Sequence, residues 1–319
     1  MGVRRGKEHK IKFRKSKMKR NGVTMIVLEK IKIENLKRLA SCNKRDSEGA
    51  IMTQALELGL ELPNTCGGAI ALGLEGLENE YKNGELVKKI KLKSNKKLGE
   101  IPTINMPNIF VQSTFMRLVK SNPSLRKKYK VVRILMEYFE EHKVCHNCQY
   151  CNGLCYNNKF EYGKKHKAIS ELRVLLAYIL EREALANKII RASKFFNTFR
   201  INSNGEIHSE EMLTFWINIA KRKKDTNFYT YTKSYELFEE YLATSKLPKN
   251  MNVNMSMVDG QQKNLAKFEK LFAGNKFVIV NEIPDGAKHV CCGDCTECNN
   301  LCMRKLPKNN NTIYVAYHN

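Results

Sequence analysis

Between residues 197 and 280 the chain alternates short apolar stretches with longer ones of helical spacing. Residues 197–202, 228–232, 252–257 and 277–280 are short and rich in aromatic, β-branched and methionine side chains, and they read as strands. Residues 209–223, 235–244 and 264–272 read as the helices between them. Ser209 stands where an N-cap accepts a hydrogen bond from the first turn, and Glu210 and Glu211 follow it where the helix dipole favours negative charge. Strands alternating with helices of this length predict an α/β fold built on a parallel strand–helix repeat, either an open sheet or an incomplete TIM-like barrel. Both architectures bind ligands beyond the carboxyl ends of their strands.

Upstream, residues 98–107 form an extended lead-in fixed by Pro102 and Pro107. Residues 112–141 carry helical periodicity broken at Asn122-Pro123, and residues 167–191 read as one long helix with Leu172, Leu175, Leu176 and Ile179 on one face. Residues 50–62 are helical in pattern, and Cys66-Gly67-Gly68 reads as a turn. Three parts follow: a basic flexible arm (1–22), an N-terminal α/β extension (23–96) and a metal-binding α/β domain (97–319).

Charge changes the picture at the arm. Residues 1–20 hold ten Lys or Arg against one Glu and cannot bury enough surface to fold alone. The whole chain carries a formal charge of +24. Nucleic acid, drawn through the arm by counterion release, is therefore one expected partner; a solubilising tail is the plainer reading. No apolar run is long enough to cross a bilayer, and no secretory leader is recognisable at the N-terminus, which together predict a cytoplasmic location and no membrane partner.

Cysteine changes it most. Cys145, Cys148, Cys151 and Cys155 follow the spacing C-x2-C-x2-C-x3-C, and Cys292, Cys295, Cys298 and Cys302 repeat it. These eight of the chain's 11 cysteines are the predicted cofactor and metal ligands. In a reducing compartment clustered thiols bind metal more readily than they form disulfides. Four thiols in so short a span match the bacterial ferredoxin run, so one or two [4Fe–4S] clusters are expected, with zinc as the alternative. The radical S-adenosylmethionine signature C-x3-C-x2-C has these spacings in reverse. If all four thiols of a run bind one cluster no iron is left open; an open iron needs one thiol to stand aside. Cys291 is a spare thiol, an alternative ligand or redox-active neighbour or, on the plainer reading, idle; Cys42 and Cys66 read as ordinary thiols; His146 and His289 beside the runs are replacement ligands or, on the plainer reading, hydrogen-bonding neighbours.

From Lys97 to about His318 the chain resembles the gene product 88 family of phages and mobile elements. The resemblance is carried by Gly99-Glu-Ile-Pro-Thr-Ile-Asn-Met-Pro107, by Cys151-Asn-Gly-Leu-Cys155-Tyr156, by Phe199-Arg-Ile-Asn-Ser-Asn-Gly-Glu206, by Phe228-Tyr-Thr-Tyr-Thr-Lys-Ser234 and by the second cysteine run. It implies a strand–helix repeat bracketed by cysteine clusters. Several members show His-x-Ser-Gly-Asp after the first strand of the repeat; here Asn202 stands in place of the His and Glu206 in place of the Asp.

The strand ends supply the remaining candidates. Asn202, Asn204 and Glu206 follow one strand, Thr232 and Lys233 the next, and Asp259 with Gly260 the third. Convergence of Asn202, Glu206, Lys233 and Asp259 on one cleft, with Arg200 beside them, would give a site for proton transfer or anion binding, whereas the plain reading is a set of turns. The function expected is an iron–sulfur redox or radical-type enzyme served by an electron-donor protein. The alternative is a non-catalytic nucleic-acid-binding or regulatory protein in which the cysteines hold structural metal.

Overall fold

The computed structural model describes residues 66–92, 101–144, 165–203, 205–258, 274–295, 297 and 301–316. The basic arm, the predicted helices at 50–62 and 264–272, Cys42, His146, the whole first cysteine run, Asn204, Asp259, Gly260 and Cys298 lie outside them.

The sheet explains the rest of the architecture. Among the described residues it has six strands, β1 (Thr103–Ile104), β2 (Thr198–Ile201), β3 (Asn227–Thr232), β4 (Met251–Val258), β5 (Lys276–Val280) and β6 (Thr312–Ala316), and their spatial order is their chain order. Among the described residues every strand pairing is parallel, and β1 and β6 do not pair with each other, so the sheet is open. When consecutive parallel strands are neighbours, crossovers of one hand put all the helices on the same face. The core bears this out. Phe199, Phe228, Met251, Val253, Met255 and Val278 on alternate strand positions join the helix side chains in one apolar cluster.

The helices before the repeat are α1 (Cys66–Lys82), α2 (Leu86–Lys89), α3 (Ile109–Ser121), α4 (Ser124–Lys128), α5 (Lys130–Glu141), α6 (Lys165–Leu180) and α7 (Arg182–Ala192). Asn108 caps α3 by accepting from the N–H groups of Phe110 and Val111, both at 3.0 Å. Helix α1 packs on α6, where Gly73 leaves no room for a side chain: a Cβ there would lie 2.3 Å from Ile169. Ile70, Leu74 and Leu77 of α1 are fully buried in the same core as the sheet. Helices α8 (Glu210–Arg222) and α9 (Tyr235–Thr244) belong to the repeat, and Trp216 on α8 is completely buried.

Three expectations need correction. Cys66-Gly67-Gly68 opens α1 rather than forming a turn. The long helix read over 167–191 is two helices, broken at Glu181 (φ −132°, ψ 40°). Two strands were not foreseen, β1 and β6, one at each edge of the sheet.

Candidate functional site

With the helices on one face, the other face of the sheet carries Arg200, Tyr229, Tyr231, Lys233, Asn252 and Asn254, and at its upper end Ser256. Among the described residues, a piece of the second cysteine run covers part of it. His289 and Cys291 continue the sheet beyond β6: the Cys291 N–H donates to the Tyr314 carbonyl at 2.7 Å, and the Tyr314 N–H to the His289 carbonyl at 3.0 Å. The 3-10 turn Leu301–Met303 lies against the same face at β3 and β4. There the Asn252 and Asn254 amides donate to the Cys302 carbonyl at 2.7 and 2.9 Å. Asn275 donates to Asn254 Oδ1 and to the carbonyls of Leu301 and Arg304, and accepts from the Leu306 N–H at 3.0 Å. Cys302, Tyr229 and Ile313 form a second buried cluster, with Tyr231, Phe277, Leu301 and Met303 packed around it.

One register above Cys302, at the carboxyl ends of β2 to β4, the polar candidates gather. Lys233 Nζ donates to Ser256 Oγ at 2.9 Å, and the Tyr235 hydroxyl donates to the Ser256 carbonyl. Glu206 accepts from the Thr232 hydroxyl at 3.1 Å and, more weakly, from the Lys233 N–H at 3.4 Å. Thr232 Oγ1 in turn accepts from the Ser234 N–H at 2.9 Å, which fixes the turn leading into α9. Loss of water around the Glu206 carboxyl pushes its pKa up to about 7, against the opposing pull of the Lys233 ammonium and of its hydrogen bonds. A carboxyl so placed exchanges its proton near neutral pH, as a general acid or base must.

The backbone that delivers Glu206 is unusual. Asn202 adopts φ +51° and Gly205 φ +84°. A Cβ on Gly205 would lie 2.6 Å from the Met106 carbonyl oxygen, so the loop after β2 is pressed against the end of β1. Asn105 holds the same loop by accepting from the N–H and the hydroxyl of Ser203, both at 2.9 Å. Asn202 is 4% exposed, and among the described residues its side-chain amide finds no hydrogen-bond partner at either end. A buried amide in that condition is an exception in folded proteins and marks a place where a ligand or water can bind.

The chain also enters the first cysteine run beside this loop. His208, two residues beyond Glu206, lies 2.8 Å from the Tyr138 hydroxyl through Nε2, and Tyr138 stacks against His142. Gln112 clasps the end of α5 by donating to the carbonyls of Phe139 and His142 at 3.1 and 2.9 Å and accepting from the Val144 N–H at 3.2 Å. Val144 immediately precedes Cys145.

Of the predicted catalytic residues, Glu206 and Lys233 are brought together, and Asn202 directly follows β2 on the loop that carries Glu206. Asp259 lies outside the described residues. Arg200 lies lower on the same face, its guanidinium 5.0 Å from the centre of the Tyr231 ring. Ser256 and the Asn252–Asn254 pair were missed. Their signal is the strict alternation of polar and apolar residues along Asn252-Val-Asn-Met-Ser256, which predicts a polar buried face.

Among the described residues, Cys291, Cys292, Cys295 and Cys302 form no disulfide with one another; Cys292 is exposed and Cys302 buried. Among the described residues, no three His, Cys, Asp or Glu side chains are grouped so as to hold a metal ion. Among the same residues, no helix is long and apolar enough to cross a membrane.

The family model described as Gene product 88 matches residues 92–289. The match takes in β1 to β5 and the first cysteine run, and it ends at His289, before Cys292. The resemblance legible in the sequence extends further, to about His318. No curated protein and no solved structure matches the chain.

Proposed function

The chain belongs to the Gene product 88 family, whose model spans more than half of it, and from that premise we propose an iron–sulfur protein that works as a redox or radical-type enzyme. The family description names no reaction, so the reading rests on this chain's own residues. One observation carries it. The end of the second cysteine run is fastened to the bare face of the sheet beside Tyr231, and Lys233, two residues further along the same strand face, begins the polar site. Successive positions on one strand face are about 7 Å apart, so the metal-binding motif and the proton-exchanging site are neighbours. The strand order, that of a barrel left unclosed, supports a cleft at the carboxyl ends of β2 to β4 as the place of reaction.

In this reading the thiols of the two runs hold the metal, Glu206 accepts or supplies the proton, Lys233 attracts a negatively charged substrate group, and Asn202 binds substrate through its side-chain amide. When bound, an iron–sulfur cluster would supply single electrons, which calls for an electron-donor protein as partner and fits a cytoplasmic location. A phage or related mobile element is the source that the family implies.

Metal analysis tests the proposal. Protein purified without oxygen is expected to be brown and to carry about four irons per cluster, one or two clusters per chain. Colourless protein with stoichiometric zinc would overturn it. That result would favour the second reading, a nucleic-acid-binding protein with zinc held structurally, for which the chain's excess of positive charge is the supporting observation.

A further inference from the structure

We infer that the folded body binds duplex DNA through its phosphates, on a basic face made by the end of α3, the whole of α4 and the opening turn of α5. The inference rests on the nucleic-acid reading and gives it a contact away from the arm; it needs neither a metal nor a reaction.

From residue 101 to residue 136 the chain holds seven Lys or Arg and no Asp or Glu. Lys120, Arg126, Lys127, Lys128, Lys130 and Arg133 are all exposed. The three helices that carry them pack on one another, so the six surround the joints between α3, α4 and α5. Leu125 and Tyr129, which lie among them in the chain, are buried in the core. The segment therefore turns its apolar side inward and its base outward.

Carboxylates do not neutralise this face. Among the described residues, no ion pair joins any of the six to an Asp or Glu. On the adjoining α1, Glu78 is occupied by the Val131 N–H at 3.0 Å and by Lys82 at 3.3 Å, and Glu80 by Arg173 at 2.8 Å. Glu75 exerts the weakest of the influences on Lys128. Lys128 and Lys130 lie instead over the rings of Tyr129 and Tyr81, 5.0 and 5.2 Å from their centres.

Charge also runs against local stability on α5. Lys130 and Arg133 open this helix, and Glu137, Glu140 and Glu141 close it. The helix dipole favours the reverse at both ends. Base at the start of α5 therefore serves something other than the helix.

The chemistry of the six selects the partner. Lys and Arg only donate, which suits phosphate oxygens and leaves the ribose 2′-hydroxyl without an acceptor among them. Single strands are held by stacking bases on exposed rings, whereas Tyr129 is buried and Tyr81 is half-buried beneath Lys130. Duplex DNA, gripped by its backbone with release of counterions, fits both properties.

The full-length chain is titrated with a fluorescent DNA duplex at several salt concentrations. Beside it stand a face variant combining Lys120→Gln, Arg126→Gln, Lys127→Gln and Arg133→Gln, and a control combining Lys221→Gln, Lys224→Gln, Lys246→Gln and Lys249→Gln, all exposed positions elsewhere. Both variants lose the same charge, and circular dichroism checks that both are folded. The face variant is expected to flatten the slope of the binding constant against salt, both as logarithms, by about three to four, and the control by less than about one. Equal slopes in the two variants overturn the inference, as does a face variant that binds like the unaltered chain. Tighter binding of duplex RNA, single-stranded DNA or phosphatidylserine vesicles than of duplex DNA overturns the choice of partner. No binding by the unaltered chain at low salt removes the nucleic-acid reading itself.

Acetylation of the unaltered protein gives a second measurement that needs no variant. Saturating duplex is expected to protect Lys127 and Lys130 while Lys246 and Lys249 react as before. Equal protection of both pairs, or protection of neither, overturns the inference.

Discussion

A carboxyl group titrating near neutrality leaves a mark on stability whatever reaction it serves. Glu206 has a pKa of about 7 in the folded protein against an ordinary value of 4.5. Between those values the folded chain holds a proton that the unfolded chain has released. Folding is therefore favoured at the acid end of the window, and that advantage is lost as pH rises through about 7. Glu206→Gln keeps the hydrogen-bonding shape without the titration, so urea unfolding of the variant is expected to show a flatter dependence between pH 5 and pH 8. A parallel slope in both proteins would mean that Glu206 is solvated like any surface carboxylate. The neighbouring Gly205 is tested by a different force. At φ +84° a side chain is strained, and here it also meets the Met106 carbonyl at 2.6 Å. Gly205→Ala is expected to cost about 2–3 kcal/mol in chemical denaturation, a position-specific loss that an ordinary surface turn would not show.

At the level of elements, β4 has two different jobs on its two faces. Val253, Met255 and Met257 bury against the helices, while Asn252, Asn254 and Ser256 hold the returning cysteine segment and Lys233. Asn275 completes this fastening and is fully buried. Asn275→Ala removes donors to Leu301 and Arg304 and leaves the Leu306 N–H without its acceptor, a loss expected to cost about 2 kcal/mol. Limited proteolysis is expected to cut the variant between residues 301 and 306 faster than wild type, since the segment has lost its attachment to the sheet. Unchanged cleavage would mean that Asn252 and Asn254 suffice. The strand–helix repeat that holds these residues was legible because each element is long enough to show its period; the Ser209 cap, whose hydroxyl accepts from the Met212 N–H at 3.2 Å, was equally legible. Strand β1 was not, because two residues between prolines cannot display alternation, and its strand character lies in long-range bonds from Arg200 to Pro102 and from Asn202 to Ile104. Strand β6 has a strand-like composition, yet its pairing with β5 is set only after the chain has returned past the second cysteine run. The candidate site was half legible for the same reason. Glu206 and Lys233 announce themselves as charges at strand ends, whereas the roles of Ser256 and Cys302 depend on what lies across the sheet.

For the molecule as a whole, the order of strands decides where everything else can go. Among the described residues helices fill one face, and the cysteine segment and the polar site occupy the other face and its upper rim. Positive charge is the one property of the whole chain that this arrangement does not use. Of the net +24, nine charges belong to residues 1–20, and the larger part is carried by the remainder. If the chain binds nucleic acid, the arm therefore contributes only part of the affinity, and the form of the salt dependence shows how much. Each phosphate neutralised on duplex DNA contributes a slope of about −0.9 to the logarithm of the binding constant against the logarithm of salt concentration. Removing residues 1–20 is expected to make that slope shallower by several units while leaving measurable binding at low salt. Titrating both forms with a fluorescent DNA duplex at three or more salt concentrations measures the change. No binding by the full chain at low salt would remove nucleic acid as a partner. An unchanged slope after deletion would place the contact on the folded body, where it would share the molecule with the cysteine-bearing face.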